Sequence, residues 1–221
     1  MQHDNALRLS IHASLQHFDV LALPDAHAAR GRAAVALIIS EEGPGAQLPD
    51  MPEHAHWSRQ AATVLTRRAG HLRNHANQWA LPGGRIEPGE TAEQAALREL
   101  QEEVQLVLTS DAILGRLDDY ATRSGFIITP VVVWADAARA MVPNPDEVAS
   151  IHRIALDEWL RPEAPMLDHV PGAQHPVLRM PVGQQSIAAP TAAVLYQFRE
   201  VCLLQRATRV AHFDQPEFAW R

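Results

Sequence analysis

Hydrophobic and polar positions along the chain follow two periods. Residues 33–39 form an unbroken apolar run of strand length, and residues 63–66 form a shorter one that leads into the basic pair Arg67-Arg68. Short apolar runs bounded by polar loops read as buried strands. Residues 113–117, 127–134 and 148–154 complete the strand set, with a turn over 122–125. Between Thr91 and Val104 the period changes. Thr91 with Gln94 has capping-box spacing, which predicts a helix over 92–104. A last helix is expected over 191–204, with Pro190 suited to its first turn and Val194, Leu195, Phe198, Val201 and Cys202 near i, i+3, i+4, i+7 spacing. Residues 1–30 read as helical or irregular up to Pro24, and Asp157 as the cap of a short helix carrying Trp159 and Leu160. Residues 41–53 contain Gly43, Pro44, Gly45, Pro49 and Pro52 and read as a loop. Pro143-Asn144-Pro145 breaks the chain again, and residues 162–181 read as loop-rich. Strands alternating with two good helices predict a mixed α/β sandwich. It is divided into an N-terminal extension (1–32), a main domain (33–170), and a C-terminal loop and helix (171–221) packed on the same domain.

Composition narrows the class. At 221 residues and 47% hydrophobic, the chain can bury a sizeable core. Its 19 basic against 26 acidic residues give a formal charge of -7, which argues against a protein that coats nucleic acid. A single cysteine, Cys202, excludes an intramolecular disulfide framework and reads as a buried thiol in an apolar helix. No apolar run reaches the ~18 residues of a membrane span. The opening MQHDNALRLS lacks the apolar stretch of a secretion signal, so a cytoplasmic location without membrane association is expected. The 12 histidines are scattered and expected mostly at the surface, whereas Trp134, Trp159 and Trp220 are expected in the core or at an interface. A homodimer is the prior expectation, because dimers are the commonest oligomers.

The chemistry concentrates on the first good helix. Glu99, Glu102 and Glu103 stand at i, i+3 and i+4 and share a face, while Leu97, Leu100 and Val104 form an apolar face. Like charges at this spacing destabilise a helix by roughly 0.2–0.5 kcal/mol per pair, and the helix dipole disfavours anions near its C-terminal end. A divalent cation reverses that interaction, and hard oxygen ligands select Mg²⁺, Mn²⁺ or Ca²⁺ over zinc. The bland alternative is a solvated acidic face with Arg98 and Glu102 as an i,i+4 pair.

The surrounding pattern decides between them. Gly84, five residues, Glu90, seven residues, then Arg98-Glu99-Leu100-Gln101-Glu102-Glu103, with Leu106 beyond, resembles the Nudix box. Gln105 departs from it, standing where the box has glycine. The resemblance implies an α/β/α sandwich around a mixed sheet and hydrolysis of a nucleoside diphosphate linked to another moiety. It implies Mg²⁺ or Mn²⁺ held by Glu99, Glu102, Glu103 and the Gly84 carbonyl, with Arg98 orienting the carboxylates. Glu102 is the first choice for general base and Glu103 the second. Glu147, from a later acidic segment, is a candidate for the metal shell or the base.

A second resemblance lies upstream. Leu65-Thr66-Arg67-Arg68, Leu72-Arg73-Asn74-His75-Ala76 and then Gln78, Ala80, Leu81, Pro82, Gly83 and Gly84 are similar to the segment that marks coenzyme A diphosphatases, as are residues 125–132 and 146–148. Leu81 and Asn77 depart from it, standing where that branch has phenylalanine and glycine. The likeness implies a substrate of coenzyme A or its derivatives, cleaved to 3′,5′-ADP and a 4′-phosphopantetheine product. Arg67, Arg68, Arg73 and His75 then offer cationic donors to the phosphates. The residues 85–89 have the spacing of an ordinary box, which keeps open ADP-ribose, NADH or another nucleoside diphosphate derivative. A non-catalytic binding module on the same fold is the third reading, and the intact glutamates count against it.

Overall fold

In the computed structural model, which describes residues 1–72, 75–136, 140–169 and 175–216, one eight-stranded mixed sheet lies between helices. Its strands are β1 (Gly31–Gly45), β2 (Glu53–Arg68), β3 (Trp79–Ala80), β4 (Gly83–Arg85), β5 (Ile113–Arg116), β6 (Tyr120–Ala121), β7 (Phe126–Trp134) and β8 (Val148–Ala155). The helices are α1 (Asn5–His17), α2 (Ala92–Val104) and α3 (Thr191–Phe198). The central order is β3-β2-β1-β7-β5, with β4 beside β1, β6 beside β7 and β8 beside β2. β1 and β7 run parallel, and the other pairs are antiparallel.

Residues 33–39 of β1 are apolar without interruption because both faces of the sheet are covered there. Ala34, Ala36 and Ile38 join α2 residues Ala95, Ala96, Leu100 and Val104 in one core. The alternate residues Leu37 and Ile39 join α1 and α3 in the other, through Ile11, Leu15, Leu195 and Phe198. The small side chains Ala92, Ala95 and Ala96 bring α2 close to the sheet, and its glutamates come with it.

The N-terminal extension is tied into the sandwich. Asp4 caps α1 by accepting the Leu7 N–H at 2.9 Å, and residues 1–3 bond to β2 through Ala61 N–H to Met1 O and His3 N–H to Arg59 O. Buried Asp118 and Asp119 accept the backbone N–H groups of Leu21 and Leu23. Asp118 also accepts from Gln197 and Arg209, which joins both ends of the chain to the sheet.

Four expectations need correction. Asp157 lies in the first turn of the short helix Leu156–Leu160 and does not cap it; the N-cap is Ala155. Residues 41–45 continue β1 instead of forming a loop; register shifts at Glu41/Gly43 and Gly43/Gly45 absorb the Gly-Pro-Gly. The loop-rich reading of 162–181 and the C-terminal loop missed a three-stranded sheet made by β9 (Met166–Asp168), β10 (Val177–Val182) and β11 (Gln185–Ala188), whose hairpin turns at Gly183 with φ +55°. The last helix is α-helical only to Phe198 and continues as a π-turn over Arg199–Leu203. Trp134, Trp159 and Cys202 are buried, as are His3 and His152, whereas Trp220 lies outside the described residues. Among the described residues no helix is long and apolar enough to cross a membrane.

Candidate active site

α2 starts at a complete capping box. The Gln94 N–H donates to Thr91 Oγ1 and the Thr91 N–H donates to Gln94 Oε1 at 2.8 Å. It stops at Gln105, whose φ of +55° is left-handed and whose N–H bonds back to Leu100 O. Docking through its alanines turns Glu99 and Glu103 toward β4. The Gly83 N–H donates to Glu103 Oε2 at 3.2 Å. A Cβ on Gly84 would lie 2.2 Å from Glu99 Oε1, so only glycine leaves room for that carboxylate.

Arg98 organises the acids. Its guanidinium grips Glu90 with two hydrogen bonds of 3.0 and 3.1 Å. Its Nη1 reaches Glu99 at 2.8 Å and Glu102 at 3.0 Å, and its Nη2 donates to Arg85 O. Those bonds raise the Arg98 pKa, the Glu90 contact foremost, and hold the Glu90 carboxyl below its usual range. Glu99 and Glu103 behave oppositely. Burial raises the Glu99 pKa against the pull of Arg98. Burial pushes Glu103 up to about 8, outweighing the Gly83 hydrogen bond, with the charges of Glu99 and Glu147 adding to the rise. Glu102 differs from both, its side chain being 52% exposed.

Glu147 belongs to this neighbourhood. The Asn144 N–H donates to Glu103 O at the end of α2, the Glu147 N–H donates to Asn144 O, and Glu147 O accepts from Ala69 at the end of β2.

Among the described residues no three His, Cys, Asp or Glu side chains converge on a ready-made metal position; Glu99 and Glu102 instead share the Arg98 guanidinium. The donor set nevertheless fits a hard divalent cation. It is all oxygen, two of its carboxylates are buried with raised pKa values, and Glu99 is cradled against the backbone of Gly84.

Beside the acids opens a cleft of about 620 Å³. It borders the cluster at Gly83 and Gly84 without being lined by the glutamates themselves. Arg68 and His75 line it. Arg68 Nε is buried without a hydrogen-bond partner among the described residues, and the Arg68 charge acts on Glu103. The neighbouring Arg67 does not line this cleft. Its guanidinium lies 3.8 Å over the Trp79 ring, donates to Asn77 O at 2.9 Å and bonds to Gln185. Alternation along β2 separates the two arginines. Arg73 lies outside the described residues.

The cleft also holds residues that the sequence reading did not single out. Arg85 stands 5.2 Å over the Phe126 ring, and Arg30, Trp79 and Val194 contribute further wall. Arg85 had a local signal in its place next to Gly84. Val194 had none, because tertiary packing alone brings α3 there.

Similarity to known proteins identifies the family. The family description "NUDIX domain" matches residues 57–179, more than half the chain. The Nudix hydrolase NudL of Pectobacterium atrosepticum is 36% identical over 166 residues, covering 68% of this chain and 86% of its own. The NudL of Yersinia enterocolitica is 38% identical over 135 residues, covering 60% and 69%. Among solved structures, the MutT protein of Methanosarcina mazei aligns at 19% identity with a TM-score of 0.43, covering 64% of this chain and 83% of that one. The chain belongs to the Nudix family and is a Nudix hydrolase.

Proposed function

We propose that this hydrolase opens the diphosphate bond of coenzyme A or its derivatives in the cytoplasm, releasing 3′,5′-ADP and a 4′-phosphopantetheine product. The observation that carries this reading is Arg68, a cleft-lining guanidinium with a buried Nε that no acceptor among the described residues claims, beside the carboxylate cluster. A guanidinium lining the cleft offers charge-assisted hydrogen bonds to phosphate oxygens. His75 adds a second donor from the same wall.

Glu99, Glu102, Glu103 and the Gly84 carbonyl would hold Mg²⁺ or Mn²⁺. Bound there, such an ion would supply charge neutralisation at the diphosphate oxygens and would lower the pKa of a water. Glu102, exposed and tethered by Arg98, is the side chain best able to take the water's proton, with Glu103 the second candidate. Arg98 fixes the separation of Glu90, Glu99 and Glu102. Glu147 adds a further carboxylate, for the metal shell or as base.

One observation favours a second reading within the class, in which ADP-ribose, NADH or a similar nucleoside diphosphate derivative is preferred. Arg67, a candidate for an extra phosphate, is engaged with Trp79 and Gln185 away from the main cleft. Coenzyme A and ADP-ribose offered in competition, with products identified by mass spectrometry, separate the two. Early accumulation of 3′,5′-ADP supports coenzyme A; early accumulation of AMP and ribose phosphate overturns it.

A further inference from the structure

The main cleft has two unlike flanks. Residues 33–35 of β1 pair with β4 on one side and with β7 on the other. The β7 flank carries Phe126 with Arg85 above its ring, and Arg30 beside them. It is an aromatic and cationic surface suited to a nucleoside and its phosphates. Across β1 and β4, two strand spacings of about 4.8 Å each, lies a different wall. There Trp79 and Leu81 meet the first turn of α3 through Thr191 and Val194, with Trp79, Leu81 and Val194 all below 9% exposure. Thr191 Oγ1 donates to Trp79 O at 3.4 Å, which anchors the helix start to this flank.

A second groove of about 170 Å³ adjoins that wall and shares Gln78, Trp79, Pro190 and Thr191 with the cleft. The groove runs along β11, past Ser186 and Ala188. The arginines at its edge are already engaged: Arg67 with Asn77 and Gln185, Arg179 with Asp168 at 2.6 Å. The walls along β11 and the start of α3 are small apolar side chains and hydroxyls. A small groove with walls of mixed polar and apolar character suits a flexible chain bearing amides better than a compact, hydroxyl-rich sugar.

From this adjacency we infer that α3 and β11, both beyond the residues matched by the family model, form a specificity channel for the chain-like arm on the far side of the substrate's diphosphate. This deepens the proposed function and rests on it, naming the part of the molecule that selects a pantetheine-like arm. The nucleoside takes the Phe126 flank and the arm leaves past Thr191.

Thr191→Trp fills the junction between cleft and groove, and Ser186→Trp fills the groove itself. Each is compared with wild type by melting temperature and by steady-state kinetics on coenzyme A and ADP-ribose. The channel predicts that KM for coenzyme A rises about tenfold with a smaller change in kcat, while KM for ADP-ribose moves less than about twofold, the pattern of lost binding shared by ground and transition states. If Thr191→Trp fails to fold, Ser186→Trp carries the test. Equal KM shifts on both substrates, or none, overturn the channel while leaving diphosphate hydrolysis intact. If wild type cleaves neither substrate, the reading of function fails instead. Calorimetric titration with 4′-phosphopantetheine then tests the channel alone: weaker binding by Thr191→Trp than by wild type supports it, and equal or absent binding overturns it.

Discussion

The carboxylate of Glu99 occupies the space into which any side chain on Gly84 would grow, with 2.2 Å between Oε1 and the position of a Cβ. Gly84→Ala therefore displaces Glu99, the end of a flexible side chain, and leaves the sheet alone. We expect a melting temperature close to wild type with kcat reduced about a hundredfold, the order of loss that misplacing a reacting group by 1 Å produces. Thermal melts paired with turnover on the preferred substrate check both halves.

Arg98 contacts three carboxylates and a carbonyl through a planar fork. Lysine keeps the charge and loses the fork. Arg98→Lys is expected to fold and to lose about tenfold in kcat at saturating metal, equivalent to roughly 1.4 kcal/mol of positioning. Activity equal to wild type would show that charge alone suffices at this position.

Gln105 takes a left-handed φ of +55° at the C-terminus of α2, where an L side chain costs roughly 1–2 kcal/mol. Gln105→Gly removes that cost. Denaturant unfolding is expected to show a gain of about 1 kcal/mol, less than the full amount because glycine also frees the unfolded chain.

How much of this was legible in the sequence depended on whether the cause was local. α2 runs from Ala92 to Val104 as its capping box and apolar face predict, and residues 33–39 are strand, buried at Ala34 and from Ala36 to Ile39. The extension of β1 through Gly43-Pro44-Gly45 was not legible, because tertiary partners hold it: Glu41 accepts from Trp57 and Arg59, and Glu42 accepts from Ser58 at 2.8 Å. The β10–β11 hairpin left a weak local trace at Gly183-Gln184, hidden by Pro181. At the site, the glutamates were visible as a pattern. The divergence of Arg67 from Arg68 follows from strand alternation, and the approach of Val194 to the cleft depends on how α3 crosses the sheet.

The His3 ring stacks on Trp134 with centroids 4.0 Å apart, and burial draws its pKa below 6.5 despite the nearby Asp136. The folded state therefore favours the neutral ring. Its contribution is fully present above the unfolded pKa and is lost as pH falls through 6.5 toward the folded value. His3→Phe keeps the stack and cannot titrate. Between about pH 7.5 and 5.5 its urea midpoint should fall less than that of wild type, with His152, also lowered by burial, supplying part of what remains. Equal falls in both proteins would remove His3 from the acid response.

The central claim is that the acids of α2 are placed to grip a divalent cation. Calorimetric titration of the purified protein with Mn²⁺ tests it most directly, alongside Glu99→Gln and Glu103→Gln, each checked for folding by its melt. The account predicts saturable uptake by wild type that is lost or strongly weakened in both variants. Folded wild-type protein that takes up no Mn²⁺, or variants that bind it as tightly as wild type, would contradict it.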